Sequence, residues 1–215
     1  MKIQRIVSSL LNSNMYVVSE QGHAVLIDPC ITDEVPENLH VDMILVTHEH
    51  YDHISGVNFW RDKTGAKFLN SSECDSGCIN PSRNFSHYFN EFCALITWSD
   101  ASNVGDVADY SCPADEIYTL PANMDWLGHN ISVVWCPGHS SGGQCIVLDG
   151  EYLFSGDALI NGYSVSCKAP GGSRKQWQTY SLPMLRAFDG SMKVFPGHFD
   201  SFTLSDYRDD KGGIL

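Results

Sequence analysis

Residues Thr47-His48-Glu49-His50-Tyr51-Asp52-His53 place three imidazoles and a carboxylate within six residues of one another, a density that metal binding explains better than packing. Three more candidate ligands follow, each on a glycine-containing turn: Pro137-Gly138-His139-Ser140, Ser155-Gly156-Asp157 and Pro196-Gly197-His198. Neutral imidazole and ionised carboxylate suit a borderline divalent metal, and a catalytic site keeps one coordination position open for water. Five His and two Asp exceed what one tetrahedral ion can use. Two ions sharing one carboxylate use all seven, with a water or hydroxide bridging a separation of about 3.5–4 Å. The pattern points to a dinuclear centre.

The whole chain sets the frame. With 215 residues and 43% hydrophobic content it can bury one sizeable core, so a single domain over residues 1–215 is expected. Thirteen Lys plus Arg against 26 Asp plus Glu give a net charge of −13, which repels polyanions and disfavours a nucleic-acid partner. The opening Met1–Leu10 lacks the apolar run of an export signal, and no later stretch is apolar enough to span a bilayer. A cytoplasmic location without a membrane partner is expected. The eight Cys then read as reduced thiols rather than a disulfide framework. Nothing in the sequence fixes the oligomeric state.

β-rich runs at 3–7, 16–19, 24–28 and 43–47 predict successive strands, so the His-rich run leaves the end of one as a loop, with a helix starting after His53. A short strand is predicted at 66–69 and a helix over 87–98, within a stretch up to residue 112 whose pattern is hard to follow. Strand character returns at 117–120, 131–136, 145–148, 152–155 and 193–195. Trp177, Tyr180, Leu185 and Phe188 suit one helix face, which Pro183 must break or kink. Residues 206–213 read as a frayed tail.

On these residues the chain resembles the metallo-β-lactamase fold superfamily, and its short form is similar to the glyoxalase II-like hydrolases. The likeness begins at Asn14-Met15-Tyr16-Val17-Val18 and Val25-Leu26-Ile27-Asp28-Pro29 and runs to His198. It implies an α/β (α+β) fold, a four-layer αββα sandwich. It also implies that His48, His50 and His139 hold one metal and Asp52, His53 and His198 a second, with Asp157 bridging. The expected cofactors are two Zn2+, with iron or manganese as alternatives. Asp28 resembles the family residue that braces the His-rich loop, although Asp-Pro is also a common turn. Two departures stand out: 86 residues separate His53 from His139 (139 minus 53), and Cys30 follows Asp-Pro where the family carries Gly.

Metal binding lowers the pKa of water to about 7, which supplies a hydroxide nucleophile without a Ser or Cys. The expected activity is hydrolysis of a small thioester, lactone or related ester. Asp52 is a ligand that can also take the proton, and Tyr163 a donor to the developing oxyanion. Lys168, Arg174 and Lys175 are candidates to hold a substrate carboxylate or phosphate, or are a solvated basic loop. Only 17 residues follow His198 (215 minus 198), so the helical domain with which larger relatives hold glutathione is not expected. A mononuclear iron oxygenase of the persulfide dioxygenase type, using two His and the Asp, is the competing reading. A phosphodiesterase is weakened by the acidic balance, and a non-enzymatic metal scaffold explains less of the ligand set. Cys74, Cys78, Cys93 and Cys112 offer a second reading as a tetrathiolate zinc site, against plain thiols. Cys136 and Cys167 lie near ligand turns, while Glu49 and Tyr51 are expected to pack.

Overall fold

The predicted opening strands form as β1 (Lys2–Val7), β2 (Asn14–Glu20), β3 (His23–Ile27) and β4 (His40–Leu45). Gln21 and Gly22, at φ +50° and +86°, join β2 to β3 in a two-residue turn whose left-handed pair matches strand twist. The computed structural model describes residues 1–95, 106–213 and 215, in two compact units, Met1–Tyr118 and Thr119–Leu215. Among the described residues no helix is long and apolar enough to cross a membrane.

In the first unit β5 (Lys67–Ser71) and β6 (Glu116–Tyr118) complete a mixed sheet of order β1-β2-β3-β4-β5-β6. The β1–β2 and β2–β3 pairs are antiparallel, while β3, β4, β5 and β6 run parallel. Met15, Val17, Leu26, Ile44, Trp60 and Phe68 make its core. Helix α1 is a single turn, Tyr51–Ile54, and α2 (Val57–Thr64) ends at Gly65 in the left-handed conformation. Asp52 and His53 therefore lie inside a helical turn, not in the loop before it.

The hard-to-follow stretch holds a helix that the sequence reading missed, α3 (Ser72–Cys78), started by Ser71, whose hydroxyl accepts from the Cys74 amide. Downstream, the helix predicted over 87–98 is a 3-10 turn, Ser86–Tyr88, followed by α4 (Phe89–Leu95); residues 96–98 lie outside the described residues.

The second unit carries β7 (Ala122–Trp126), β8 (His129–Trp135), β9 (Gln144–Leu148), β10 (Tyr152–Gly156), β11 (Lys193–Pro196) and β12 (Phe202–Thr203). They form one sheet of order β12-β11-β10-β9-β8-β7, antiparallel except for β10 and β11. The crossover between those parallel neighbours is helical: α5 (Arg174–Gln176), a π turn (Trp177–Ser181) and α6 (Leu182–Arg186). Pro183 neither breaks this segment nor ends it. The Leu182 amide reaches back five residues to the Trp177 carbonyl, and this wider turn just before Pro183 lets the ring be accommodated.

The tail is not frayed. The Gly162 amide donates to the Arg208 carbonyl (2.7 Å), the Arg208 amide to Asn161 Oδ1 (2.9 Å) and the Tyr207 hydroxyl to the Tyr163 carbonyl (3.0 Å). Burial, with Asp209 and Asp210 nearby, pushes the Tyr207 phenol up to about 12, so it stays a donor.

Candidate metal centre

Parallel pairing of β3 and β4 brings the two strands' C-terminal ends to the same edge of the sheet. Asp28, at φ +51° just past β3, thereby meets Thr47, just past β4. Its carboxylate accepts from the Thr47 amide (Oδ1, 2.6 Å) and the Thr47 hydroxyl (Oδ2, 2.6 Å). His53 Nδ1 lies 3.2 Å from Oδ2. With the proton on Nδ1 facing this carboxylate, His53 Nε2 is left as the ligand atom, 3.3 Å from Asp52 Oδ2.

The rest of the motif closes around it. The His48 ring sits 4.7 Å from that of His50 and 4.3 Å from that of His53, centroid to centroid. Ser13 Oγ donates to the Asp52 carbonyl (2.8 Å) and the Tyr51 amide to the Asn84 carbonyl (2.7 Å), which pins the helical turn. His48, His50, Asp52 and His53 are all buried.

Glu49 and Tyr51 pack, as expected. Glu49 is buried against Gly77 with Arg83 Nη2 at 3.8 Å, and Tyr51 meets the rings of Phe89 and Tyr110. Burial raises the Tyr51 phenol.

The second unit repeats the device. Parallel β10 and β11 deliver Asp157 and His198 from adjacent strand ends, and the Gly197 amide donates to the Gly156 carbonyl (2.9 Å). His139 Nδ1 donates to the Ser166 carbonyl (2.9 Å), which turns Nε2 toward Asp157. Asp157 Oδ2 lies 3.5 Å from His139 Nε2 and 3.6 Å from His198 Nε2.

Gly138 makes the His139 turn possible: it sits at φ +138°, and a Cβ there would meet Trp177 Cβ at 2.6 Å. Gly138→Ala is expected to cost about 2 kcal/mol or more, through strain and overlap together, and to lower the thermal midpoint by roughly 4 °C or more. A differential scanning measurement showing no shift would refute this.

Other expected residues fall as follows. Tyr163 is half exposed and stacks on Phe199, with ring centroids 5.0 Å apart and planes 7° from parallel. Lys168 and Arg174 line a cavity of about 730 Å3 together with Trp177, Arg186 and Lys211; Lys175 is not part of its wall. Cys74, Cys78 and Cys112 are buried in the first unit's core, whereas Cys93 packs with Leu11 and Phe89, so the structure does not gather the four. Cys136 and Cys145 lie together at the β8–β9 pair, and all eight cysteines are free thiols. Thr47 and the Ser166 carbonyl were not foreseen; Thr47 stands inside the decisive motif, but a backbone acceptor leaves no mark in a sequence.

Residues 9–73 match the family model of the metallo-beta-lactamase superfamily. Over 212 residues the chain is 26% identical to a probable metallo-hydrolase of Streptococcus pyogenes serotype M6, covering 95% of this chain and 86% of that one. It is 27% identical over 206 residues to a hydroxyacylglutathione hydrolase of Francisella tularensis subsp. tularensis, covering 92% and 68%. Among solved structures it is similar to the BLEG-1 B3 metallo-beta-lactamase, with a TM-score of 0.74, 23% identity and 95% of each chain covered. It is also similar to TTHA1623 in a di-iron-bound form, with a TM-score of 0.70, 23% identity and coverage of 94% and 96%. The fold class expected from the sequence is thus borne out, and the resemblance stated there holds: by its matched N-terminal residues and its two mixed sheets with their helices, the chain is a metallo-β-lactamase-fold protein.

Proposed function

We propose that the two units act as one domain, 1–215, and that their ligand groups together hold two metal ions for hydrolysis of a small thioester, lactone or related ester. The observation that carries this is Asp157, whose Oδ2 stands at nearly equal distance, 3.5 and 3.6 Å, from two imidazole Nε2 atoms, a placement that suits a carboxylate shared by two ions. The donors fit such ions. His53 and His139 each commit Nδ1 to an acceptor and keep Nε2 for coordination, and imidazole with carboxylate is the set that borderline divalent metals take.

In this reading His48, His50 and His139 serve one ion and Asp52, His53 and His198 the other. When bound, zinc, or iron or manganese in its place, supplies a hydroxide at neutral pH and polarises the acyl oxygen. Asp52 accepts the nucleophile's proton, and Asp28 keeps His53 in the orientation that coordination needs. Tyr163, held against Phe199, donates to the developing oxyanion. Lys168 and Arg174 present positive charge to a carboxylate or phosphate on a small-molecule substrate entering the cavity they line. The acidic balance of the chain argues for a small substrate over nucleic acid, and a cytoplasmic site of action goes with a thioester substrate.

The test pairs a metal count with a substrate panel. At least two ions per chain and turnover of a thioester or lactone are expected, with activity lost on chelation and restored by zinc. One iron per chain with thiol-dependent oxygen uptake would replace this reading by an iron oxygenase.

A further inference from the structure

The geometry points to a second, separate metal site on the first unit, formed by His23, His40 and Asp42 and taking a borderline divalent cation of the zinc, nickel or copper class. It does not depend on the hydrolase reading, because none of these residues belongs to the ligand groups above.

Three features of the chain build it. His23 opens β3 and pairs directly with His40, which opens β4, so the two imidazoles stand side by side on neighbouring parallel strands. Their ring centroids are 5.4 Å apart and the rings are nearly perpendicular. The register then shifts: Ala24 pairs with Val41 but Val25 pairs with Met43, leaving Asp42 as the extra residue of a β-bulge. A bulge re-aims a side chain, and here it aims a carboxylate at both rings. Asp42 Oδ1 lies 2.8 Å from His23 Nδ1 and 3.5 Å from His40 Nε2.

One ligand atom from each residue falls within 4.8 Å of the other two. Bonds of about 2.0–2.1 Å around a tetrahedral ion put ligand atoms roughly 3.3 Å apart, so small side-chain rotations close the set. An entering cation takes His23 Nδ1, and the ring proton that faced Asp42 passes through solvent to Nε2. The trio is open to solvent, with side chains 41%, 69% and 22% exposed, so water can complete the coordination shell. The chain's net charge of −13 raises the local concentration of cations.

The location gives such an ion a purpose. It ties β3 to β4 at their N-terminal ends, and the same two strands carry Asp28 and Thr47 at their C-terminal ends, roughly 16 Å further along at strand rise. A tie there fixes the register on which the Asp28–Thr47 brace depends.

Equilibrium dialysis of the purified chain against zinc, with ions per chain counted by elemental analysis, tests this. His40→Ala and His23→Ala are each expected to hold one zinc fewer than the wild-type chain. Asp157→Ala is expected to retain the ion that the His40 substitution removes, which separates this site from the proposed dinuclear one. Equal zinc counts for wild type, His40→Ala and His23→Ala would overturn the proposal. His40 is exposed and His23 half-buried, so neither replacement opens a core cavity. A second readout is the thermal midpoint: zinc raises it in Asp157→Ala, and the rise disappears when His40→Ala is added.

Discussion

Asp157→Ala is expected to abolish turnover across the substrate panel, lowering kcat/KM by about 10³-fold or more while the chain stays folded. Asp157, whose Oδ2 lies close to both His139 and His198, would in the proposed centre be the ligand that the two ions share. Removing it takes away Lewis-acid and nucleophile activation worth several kcal/mol, at about 1.4 kcal/mol per decade of rate. The side chain is small and set at the end of β10, so alanine leaves the strand's own pairing intact. Steady-state kinetics with a metal count on the same preparation decide the matter. A variant that keeps full activity, or one that loses activity while retaining both ions at wild-type affinity, contradicts the bridging role.

The second large effect falls on stability. Asp28→Ala is expected to destabilise the fold by about 3–5 kcal/mol, because it leaves buried donors on Thr47 and His53 without their acceptor. At roughly 2–4 °C per kcal/mol for a chain of this size, the thermal midpoint should drop by about 6–20 °C. Asp28→Asn separates packing from tautomer control. Asparagine tolerates the positive φ and can still accept from the Thr47 amide, but its amino group faces His53 Nδ1 and drives the proton to Nε2. This variant should melt near the wild type yet bind metal about 10–100-fold more weakly. Chelator competition alongside thermal unfolding reads both quantities, and an unchanged metal affinity in Asp28→Asn would remove Asp28 from its bracing role.

Much of the candidate site's geometry was legible in the sequence because it depends on strand ends. A run such as Val25-Leu26-Ile27-Asp28 announces a buried strand by its continuous apolar character, and a parallel neighbour must deliver its own C-terminal residues to the same edge. Asp157 and His198 stood out by their glycine-containing turns, each just beyond a predicted strand. What escaped notice did so for physical reasons. Strand β7 reads Ala-Asn-Met-Asp-Trp, whose polar residues fill the exposed positions of an alternating strand and hide it among turn formers. Helix α3 is only seven residues long and includes Ser, Asp and Gly, so its cap at Ser71 carries more of the signal than its interior. Pro183 misled because a local rule was applied without its remedy; the π turn before it, closed by the Leu182 amide on the Trp177 carbonyl, leaves no periodicity to find. The tail looked loose by composition, yet Asp209 and Tyr207 make it part of the structure.

The sulfur atoms carry a consequence for assembly. Thiolates outcompete imidazoles for zinc, and this chain has eight cysteines. In the folded protein, burial holds the protons on Cys30, Cys74, Cys78, Cys93 and Cys167, and Cys145 keeps its own through Cys136 and burial. A protonated sulfur is a poor ligand, so the fold weakens these six as competitors for the metal. Before folding no such protection exists, and an early cation would be captured by the wrong atoms. In the proposed function, productive loading would therefore follow chain collapse, with conformation deciding which atoms take the ion.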